Sequence, residues 1–89
     1  MSISQTLAAL ADPNRQKILE ALRKSELPVS EIAKNLNITL PTLSHHLDIL
    51  RRSNLVSSHR DGRQIFYEIN LSVAEEMIEV LTKMFKKKK

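Results

Sequence analysis

The chain has 89 residues, no cysteine and a net charge of +4, and 42% of its residues are hydrophobic. This length allows one domain over residues 1–89, and the lack of cysteine excludes disulfides, thiolate metal sites and thiol redox chemistry. No apolar run reaches the roughly 18 residues of a membrane span, and MSISQTLAAL lacks the basic flank of a secretory signal. We therefore expect a cytoplasmic protein with no membrane association.

The first two predicted helices are separated by Asp12-Pro13. Ser2 and Gln5 are spaced as a capping box, and the apolar residues after them recur at helical spacing over about nine residues. Asp is a good N-cap and Pro is tolerated in a first turn, so this pair is expected to begin a second helix that extends to about Lys24.

A helix-turn-helix is predicted next. The stretch VSEIAKNL (29–36) has its apolar residues on one side of a short third helix. Asn37 tolerates left-handed backbone geometry and is expected to turn the chain after that helix. Thr39 is placed as the N-cap of a fourth helix that extends to about Arg52, and Asn54 closes it.

A β-hairpin and a last helix complete the predicted order. VSSHR and RQIFYEI mix β-branched and aromatic residues with polar ones, and Asp61-Gly62 between them is a strong hairpin signal. Ser72 and Glu75 are spaced as a second capping box at the start of the last helix. The order predicts a mainly α protein with a small β-hairpin wing, the winged helix-turn-helix α-α-α-α-β-β-α.

Two adjacent histidines occupy the middle of the fourth helix. Because each helical residue advances by about 100°, Leu43, Leu47 and Leu50 form the buried stripe and His45 lies nearly opposite to it. His46 lies at the edge of the stripe, and we interpret it as a structural residue whose ring nitrogen bonds to backbone. Neighbouring side chains on a helix do not face each other, so the pair is poorly placed to bind one metal ion.

Positive charge gathers beside this outward face. From Arg51 to Tyr67 four arginines stand against the single acid Asp61, a local charge of +3. A basic surface next to a polar recognition helix predicts an anionic partner, double-stranded DNA. The predicted DNA contacts are Pro41, Thr42, Ser44, His45, Arg51, Arg52, Arg60, Arg63 and Gln64.

Each of these contacts has a purely structural alternative. Thr42 and Ser44 could instead cap backbone N–H groups, and His45 could be merely exposed to solvent. Arg51 and Arg52 would be favoured at the end of a helix by its dipole. The arginines of the hairpin could serve only to discourage pairing of its edge with another strand.

The terminal helices predict a symmetric homodimer. The apolar stripe of the last helix, widened by Ile78 and Val80, is broader than one side of a small core can cover, and the first helix offers a second strip. Pairing both strips across a two-fold axis would bury them. The predicted interface comprises Ile3, Leu7, Leu10, Val73, Met77, Leu81, Met84 and Phe85.

Three stretches, ALADPNRQKILEAL, VSEIAKNLNITLPTLSHHLDILRRSNLV and HRDGRQIFYEI, cover most of the chain. Together they resemble the arsenic-repressor type (ArsR/SmtB) of bacterial winged-helix transcription repressors. The resemblance implies a homodimer joined by its first and last helices, which binds an inverted-repeat operator and blocks transcription. Asn54 stands where the family usually has Gly.

The resemblance also bears on metal sensing. Thiolate-sensing members open the third helix with a Cys-x-Cys pair, and here Pro28 and Ser30 stand at those places. Zinc-sensing members carry Asp, His and Glu ligands on the last helix. Metal binding needs deprotonated N, O or S donors, so the comparison implies a metal-independent member without a cofactor. The residues at the last-helix positions are Leu71, Val73, Met84 and Lys87.

Functions other than DNA binding are less well supported by the residues. Catalysis is disfavoured because the chain has no cysteine nucleophile and little room for a pocket. A winged helix that binds another protein would carry an apolar outer face, whereas the outer face here is His45, Asp48 and Arg52. The sequence leaves open a sensor of the same fold whose ligand binds elsewhere, for example at the dimer interface.

Overall fold

The computed structural model describes residues 2–88, which form five helices and three short strands. Met1 and Lys89, the outermost residues of the expected domain, lie outside the described range. The elements confirm the expected winged helix-turn-helix order and add one short strand. In chain order they are α1 (Ile3–Leu10), α2 (Pro13–Ala21), β1 (Leu27–Pro28), α3 (Val29–Leu36), α4 (Leu40–Arg52), β2 (Val56–Asp61), β3 (Gln64–Ile69) and α5 (Leu71–Phe85).

The predicted starts of the first two helices are confirmed. At α1 the Ser2 hydroxyl accepts from the Gln5 N–H at 3.2 Å, and the Gln5 side chain accepts from the Ser2 N–H at 3.2 Å. At α2 the Asp12 carboxylate accepts from the Arg15 N–H at 3.1 Å. The expected end of α2 near Lys24 was wrong, because the Leu22 N–H is shared by the Ile18 and Leu19 carbonyls and the last turn tightens there.

The Asp12 cap has a consequence for the dependence of stability on pH. The hydrogen bond from the Arg15 N–H holds the pKa of Asp12 below its ordinary value, partial burial opposes this, and the charge of the Arg15 guanidinium adds to the lowering. A carboxyl whose pKa is lower in the folded state stabilises the protein above its unfolded pKa. That contribution is lost as the pH falls through the lowered pKa.

The second predicted capping box, Ser72 with Glu75, was wrong. Helix α5 begins at Leu71, its N-cap position is Asn70, and no side chain caps it. Ser72 already lies inside the first turn, where its hydroxyl donates to the Asn70 side-chain oxygen at 2.9 Å. A Ser at that position cannot serve as the N-cap.

The three strands form one antiparallel sheet in the order β1-β3-β2. The last residue pair of the hairpin is Asp61 opposite Gln64, so its two-residue loop is Gly62 and Arg63. The loop predicted from the sequence, Asp61-Gly62, was therefore wrong by one residue. Gly62 has φ of +65°, a conformation that a residue with a Cβ rarely adopts. The short β1 was not predicted, because a two-residue edge strand that contains Pro28 has no alternating pattern to detect.

One hydrophobic core joins the helices to the base of the wing. The predicted stripe of Leu43, Leu47 and Leu50 on α4 is confirmed as buried. It packs with Ile18 of α2 and with residues of α3 and β2. Burial of an aliphatic side chain stabilises a fold by about 1.5–3 kcal/mol, so this cluster fixes α4 and leaves its opposite side to solvent. Among the described residues, the largest fully buried side chains are Ile18, Ile32, Leu43, Leu47, Leu50 and Val56.

The two turns around α4 share one backbone geometry, which was predicted for Asn37 alone. Asn37 ends α3 with φ of 53°, and Asn54 follows α4 with φ of 58°. Both lie in the left-handed region, which Asn tolerates better than most residues. Asn54 therefore adopts a geometry that Gly would also supply, which explains why the departure from the family pattern leaves the fold intact.

Arg15 links the end of α1 to α4 through a partly buried network. Its Nε donates to the Ala9 carbonyl at 2.7 Å, and its Nη2 donates to the Ala8 carbonyl at 3.3 Å. Its Nη1 lies 3.1 Å from Nδ1 of His46, which is buried. A guanidinium only donates, so Nδ1 accepts and the ring proton is on Nε2. His46 is therefore structural as expected, but its partner is an arginine side chain and not backbone.

We predict that Arg15→Leu lowers the free energy of unfolding by about 1–3 kcal/mol, because it leaves buried acceptors on α1 and α4 without a donor. Arg23→Leu is the matched control, since Arg23 lies on the same chain segment and makes only an exposed ion pair with Glu20 at 3.0 Å. The control should change stability by less than about 0.5 kcal/mol. Urea denaturation measures both, and equal losses would contradict the linking role of Arg15.

Candidate nucleic-acid interface

The outward face of α4 is exposed over the start of the helix, where it carries polar side chains. Pro41, Thr42, Ser44 and His45 are all exposed, while Leu43 between them is fully buried. The helix is held in this orientation by its leucine stripe, so the same face is always presented. This geometry is the one in which the second helix of a helix-turn-helix enters the major groove.

The hydroxyl of Thr42 is positioned by the N-cap of α4. Thr39 Oγ1 accepts from the Thr42 N–H at 3.4 Å and donates its own proton to Thr42 Oγ1 at 2.9 Å. Thr39, rather than Thr42, therefore caps the backbone. Because Thr42 Oγ1 is an acceptor in that bond, its own proton stays available to donate outward.

The two histidines divide between surface and interior, as the helical wheel predicts. His45 is exposed and His46 is buried. Their ring centroids are 5.8 Å apart and the rings are tilted by 55°. Nδ1 of His46 is also engaged in the hydrogen bond with Arg15, so the two histidines are not arranged as two ligands of one ion. His45 remains available at the surface.

The end of α4 carries both predicted arginines, each paired with one acid. Arg51 and Arg52 lie 3.0 and 2.9 Å from the two oxygens of Asp48. All three residues lie on the solvent side of the helix. The positive charge expected at this end is therefore partly neutralised within the helix itself.

Helix α4 and the wing meet in an open groove of about 700 Å³. It is bordered on the helix by Ser44 and Arg51 and on the wing by Arg63 and Gln64. Four of the nine predicted DNA contacts are thus brought together although they lie up to 20 positions apart in sequence. The five that lie outside this groove are Pro41, Thr42, His45, Arg52 and Arg60, all of them exposed.

The sheet brings together a cluster that the sequence pattern did not indicate. Glu26, His59 and Glu68 are exposed, and one potential ligand atom of each lies within 4.8 Å of the others. His59 Nε2 is 3.5 Å from a Glu26 oxygen, and its ring stacks on Phe66 with centroids 5.6 Å apart. The pairing of β1 with β3 places Glu26 beside His59 and Glu68. Because β1 was not predicted, the cluster could not be predicted from the sequence either.

The predicted dimer residues divide into two groups. Met77 is buried in its own chain, and Ile3, Leu10, Val73 and Leu81 are half-buried. The exposed group comprises Leu7 together with Met84, 65% exposed, and Phe85, 83% exposed.

An apolar groove of about 490 Å³ runs between α1, α2 and α5. Leu7, Leu10, Ile78 and Leu81 are among the residues that line it, and Leu71 and Ile78 are exposed beside it. The terminal helices therefore carry a continuous apolar surface that the rest of the described chain leaves uncovered. Within residues 2–88, no helix is both long and apolar enough to cross a membrane.

Residues 12–58, from the start of α2 into β2, match the model of the family described as bacterial regulatory protein, arsR family. The chain belongs to the arsR family. It is a DNA-binding transcriptional regulator with the winged helix-turn-helix fold. The matched segment contains α3 and α4, the two helices on which the groove and the polar face depend.

Named relatives of this ArsR-family regulator are themselves regulators of transcription. It is 37% identical over 76 residues to the transcriptional repressor SdpR of Bacillus subtilis. This alignment covers 85% of the present chain and 84% of SdpR. It is 41% identical over 69 residues to the cadmium resistance regulatory protein CadC of Listeria innocua, covering 76% of this chain and 58% of that one. Both relatives are transcriptional regulators, a class of protein that is in general not enzymatic.

The fold comparison agrees with the sequence comparison. An ArsR-like transcriptional regulator from Rhodococcus sp. RHA1 superposes with a TM-score of 0.84 at 27% identity. The superposition covers 92% of this chain and 77% of that one. The arrangement of helices and wing is therefore shared well beyond the residues that are identical.

We predict that zinc binds this protein only weakly. The cluster of Glu26, His59 and Glu68 is exposed, so three side chains that move freely in solvent must be ordered to hold an ion, at a cost in conformational entropy. In a calorimetric titration, binding should appear only when the zinc concentration is well above the protein concentration. His59→Ala should abolish this weak binding and His45→Ala should leave it. Tight binding of one zinc per chain that survives His59→Ala would contradict the prediction.

Proposed function

We propose that this ArsR-family regulator is a homodimeric repressor that binds an inverted-repeat operator, with α4 in the major groove and the β2–β3 wing on the neighbouring backbone or minor groove. One observation supports this proposal above the others. The exposed side of α4, at Ser44 and Arg51, borders the same open groove as the arginine-bearing tip of the wing. A helix and a wing so arranged can contact one duplex together.

Base reading is assigned to the first turns of α4. Thr42, Ser44 and His45 each carry a donor or acceptor at the surface, and the N-terminal residues of a recognition helix lie nearest to base edges. The free proton of Thr42 and the exposed ring of His45 are the groups best placed to distinguish one base pair from another. Pro41 lies in the same exposed turn and restricts its backbone.

Phosphate contacts are assigned to the arginines. Arg51 and Arg52 end the recognition helix, Arg60 lies near the end of β2, and Arg63 lies in the loop of the wing with Gln64 beside it. Contacts to phosphate fix the orientation of a protein on the duplex without reading sequence. The wing and the end of α4 therefore supply affinity for any duplex, and the first turns of α4 supply preference for one sequence.

Dimerisation is assigned to the apolar surface of α1 and α5. Monomeric proteins rarely expose contiguous apolar patches larger than a few hundred Å², and here Leu7, Ile78, Met84 and Phe85 are all exposed. A second copy across a two-fold axis covers the same surface on both chains. The axis would set the two recognition helices about 34 Å apart, one turn of B-DNA, which suits an inverted repeat.

Repression follows from occupancy of the operator. A dimer that covers an inverted repeat at a promoter denies it to RNA polymerase, and the likeness to a protein named a transcriptional repressor supports this direction of control. The protein would act in the bacterial cytoplasm, where the chromosome is. Residues 1–89 would serve as one DNA-binding domain whose terminal helices form the dimer interface.

We propose further that operator binding is independent of metal. The start of α3 offers Pro28 and Ser30 where thiolate sensors carry cysteines, and the corresponding positions of α5 offer no imidazole or carboxylate. CadC is a cadmium resistance regulator by name, but these ligand positions differ in chemistry from what a cadmium or zinc site needs. Control of this protein would then come from another ligand or partner.

The first test concerns sequence preference. A double variant Thr42→Ala plus His45→Ala should keep its fold and lose preference for the operator, because each well-placed base contact is worth about 1–3 kcal/mol of discrimination. Selection of bound sequences from random DNA, followed by titration of the selected duplex, measures the change. If the double variant selected the same operator with equal affinity, the role assigned to α4 would be wrong.

The matched control for that test is Arg60→Ala plus Arg63→Ala. These changes should weaken binding to every duplex alike and flatten the salt dependence by about 0.9 in log K per log salt for each phosphate that is no longer neutralised. A change in the selected sequence, with affinity for random duplex retained, would contradict the assignment of the wing.

The second test concerns the dimer. Leu81→Glu should shift the protein to monomer and lower operator affinity, since it places an unpaired charge in the apolar groove between α1 and α5. Leu40→Glu makes the same change on an exposed leucine of α4 and should leave the sedimentation coefficient unchanged. Sedimentation velocity at micromolar concentration measures the assembly of both variants. A parent protein that is monomeric under these conditions and still binds the operator fully would overturn the proposed dimer.

A further inference from the structure

We propose that Asp48 is an affinity-limiting residue of the recognition helix, which weakens binding to every duplex to a similar degree by neutralising Arg51 and Arg52. This inference rests on the proposed function, because it assumes that α4 meets DNA. It assigns to an acidic residue on the DNA-facing side a role opposite to that of its neighbours.

The geometry of the pairing engages the whole carboxylate. Asp48 Oδ1 lies 3.0 Å from Nη2 of Arg51, and Oδ2 lies 2.9 Å from Nη2 of Arg52. The arginines follow the acid by three and four positions, the spacings at which helical side chains meet on one face. One carboxylate therefore holds two guanidinium groups.

The position of Asp48 is on the surface that DNA would approach. Its side chain is 36% exposed, and those of Arg51 and Arg52 are 51% and 73% exposed. Asp48 lines the groove between α4 and the wing together with Arg51 and Arg63. It is the one acidic residue of α4, and none of the other described residues that line this groove is acidic.

The charge balance sets the direction of the effect. Arg51 and Arg52 would bring two positive charges to the phosphates, and the carboxylate cancels one of them. The affinity that phosphate contacts supply grows with the number of charges that are neutralised on binding. Phosphates are the same in every sequence, so the loss that Asp48 causes applies to operator and random duplex alike.

Two other roles for Asp48 make different predictions. An acid on this face can accept a hydrogen bond from the amino group of cytosine, in which case it would read sequence. It can also orient the two arginines toward phosphates, in which case it would raise affinity. Removing the charge while keeping the shape of the side chain distinguishes these roles from the proposed one.

The experiment compares Asp48→Asn with the parent chain. The probes are the duplex that the parent protein selects from random DNA and a duplex of random sequence and equal length. We expect Asp48→Asn to bind both duplexes about threefold to tenfold more tightly at physiological salt, with their affinity ratio unchanged. The salt dependence should steepen by about 0.9 for each additional phosphate that the freed arginines neutralise. Asp48→Glu keeps the charge within reach of both arginines and should keep the affinity of the parent.

The matched control for net charge is Glu79→Gln. Glu79 makes an exposed pair with Lys83 on α5 at 3.4 Å, and α5 carries none of the residues assigned to DNA. This variant acquires the same unit of positive charge and should bind DNA as the parent does. Circular dichroism and sedimentation velocity check that fold and assembly are unchanged in each variant.

Several results would overturn the proposal. Asp48→Asn could leave binding unchanged, weaken it to both duplexes, or weaken it to the selected duplex alone. An equal increase in affinity from Glu79→Gln would show that net charge, and not the position of Asp48, sets the affinity. A parent protein that binds no duplex in a salt-dependent way would instead overturn the proposed function and this inference with it.

Discussion

The contact that ties the DNA-facing helix α4 to the terminal helix α1 is the one between Arg15 and His46. Arg15 binds the last carbonyls of α1 through two of its nitrogens and the ring of His46 on α4 through a third. A partly buried arginine with three acceptors is strongly directional, because its donors lie in a fixed plane. The end of the helix assigned to dimerisation is thereby tied to the helix assigned to base reading. Any movement of α1 against α2 would have to be taken up by α4 or break these bonds.

The two faces of α4 show how one helix serves two purposes. Its stripe of Leu43, Leu47 and Leu50 is fully buried against α2, α3 and β2, so the helix cannot rotate without exposing these side chains. The opposite side carries the exposed polar residues Ser44 and His45, which leaves donors and acceptors facing outward at fixed angles. His45 and His46 differ in role only because adjacent residues on a helix point about 100° apart. The fixed orientation would allow side chains as short as those of Thr42 and Ser44 to reach base edges in the proposed complex.

The distribution of polar and apolar surface separates the two kinds of contact. The basic groove lies between α4 and the wing, whereas the apolar groove lies between α1, α2 and α5. Hydrophobic association is not weakened by moderate salt, while binding to phosphate is weakened strongly. The two proposed contacts would therefore respond differently to ionic strength. A dimer held together by the apolar groove would persist at salt concentrations that release it from DNA.

The sequence alone determined the order of the helices and the hairpin, the buried stripe of α4, the caps of α1, α2 and α4 and the left-handed turn at Asn37. These features depend on residues within a few positions of each other, where periodicity and capping chemistry act directly. Only the tertiary structure decided the partner of His46, the strand β1, the cluster around Glu26 and the burial of Met77 within its own chain. Each of these joins elements that are distant in sequence or depends on which side of α5 meets the core. Local patterns carry no information on such pairings, because they are set by how the packed elements lie against one another.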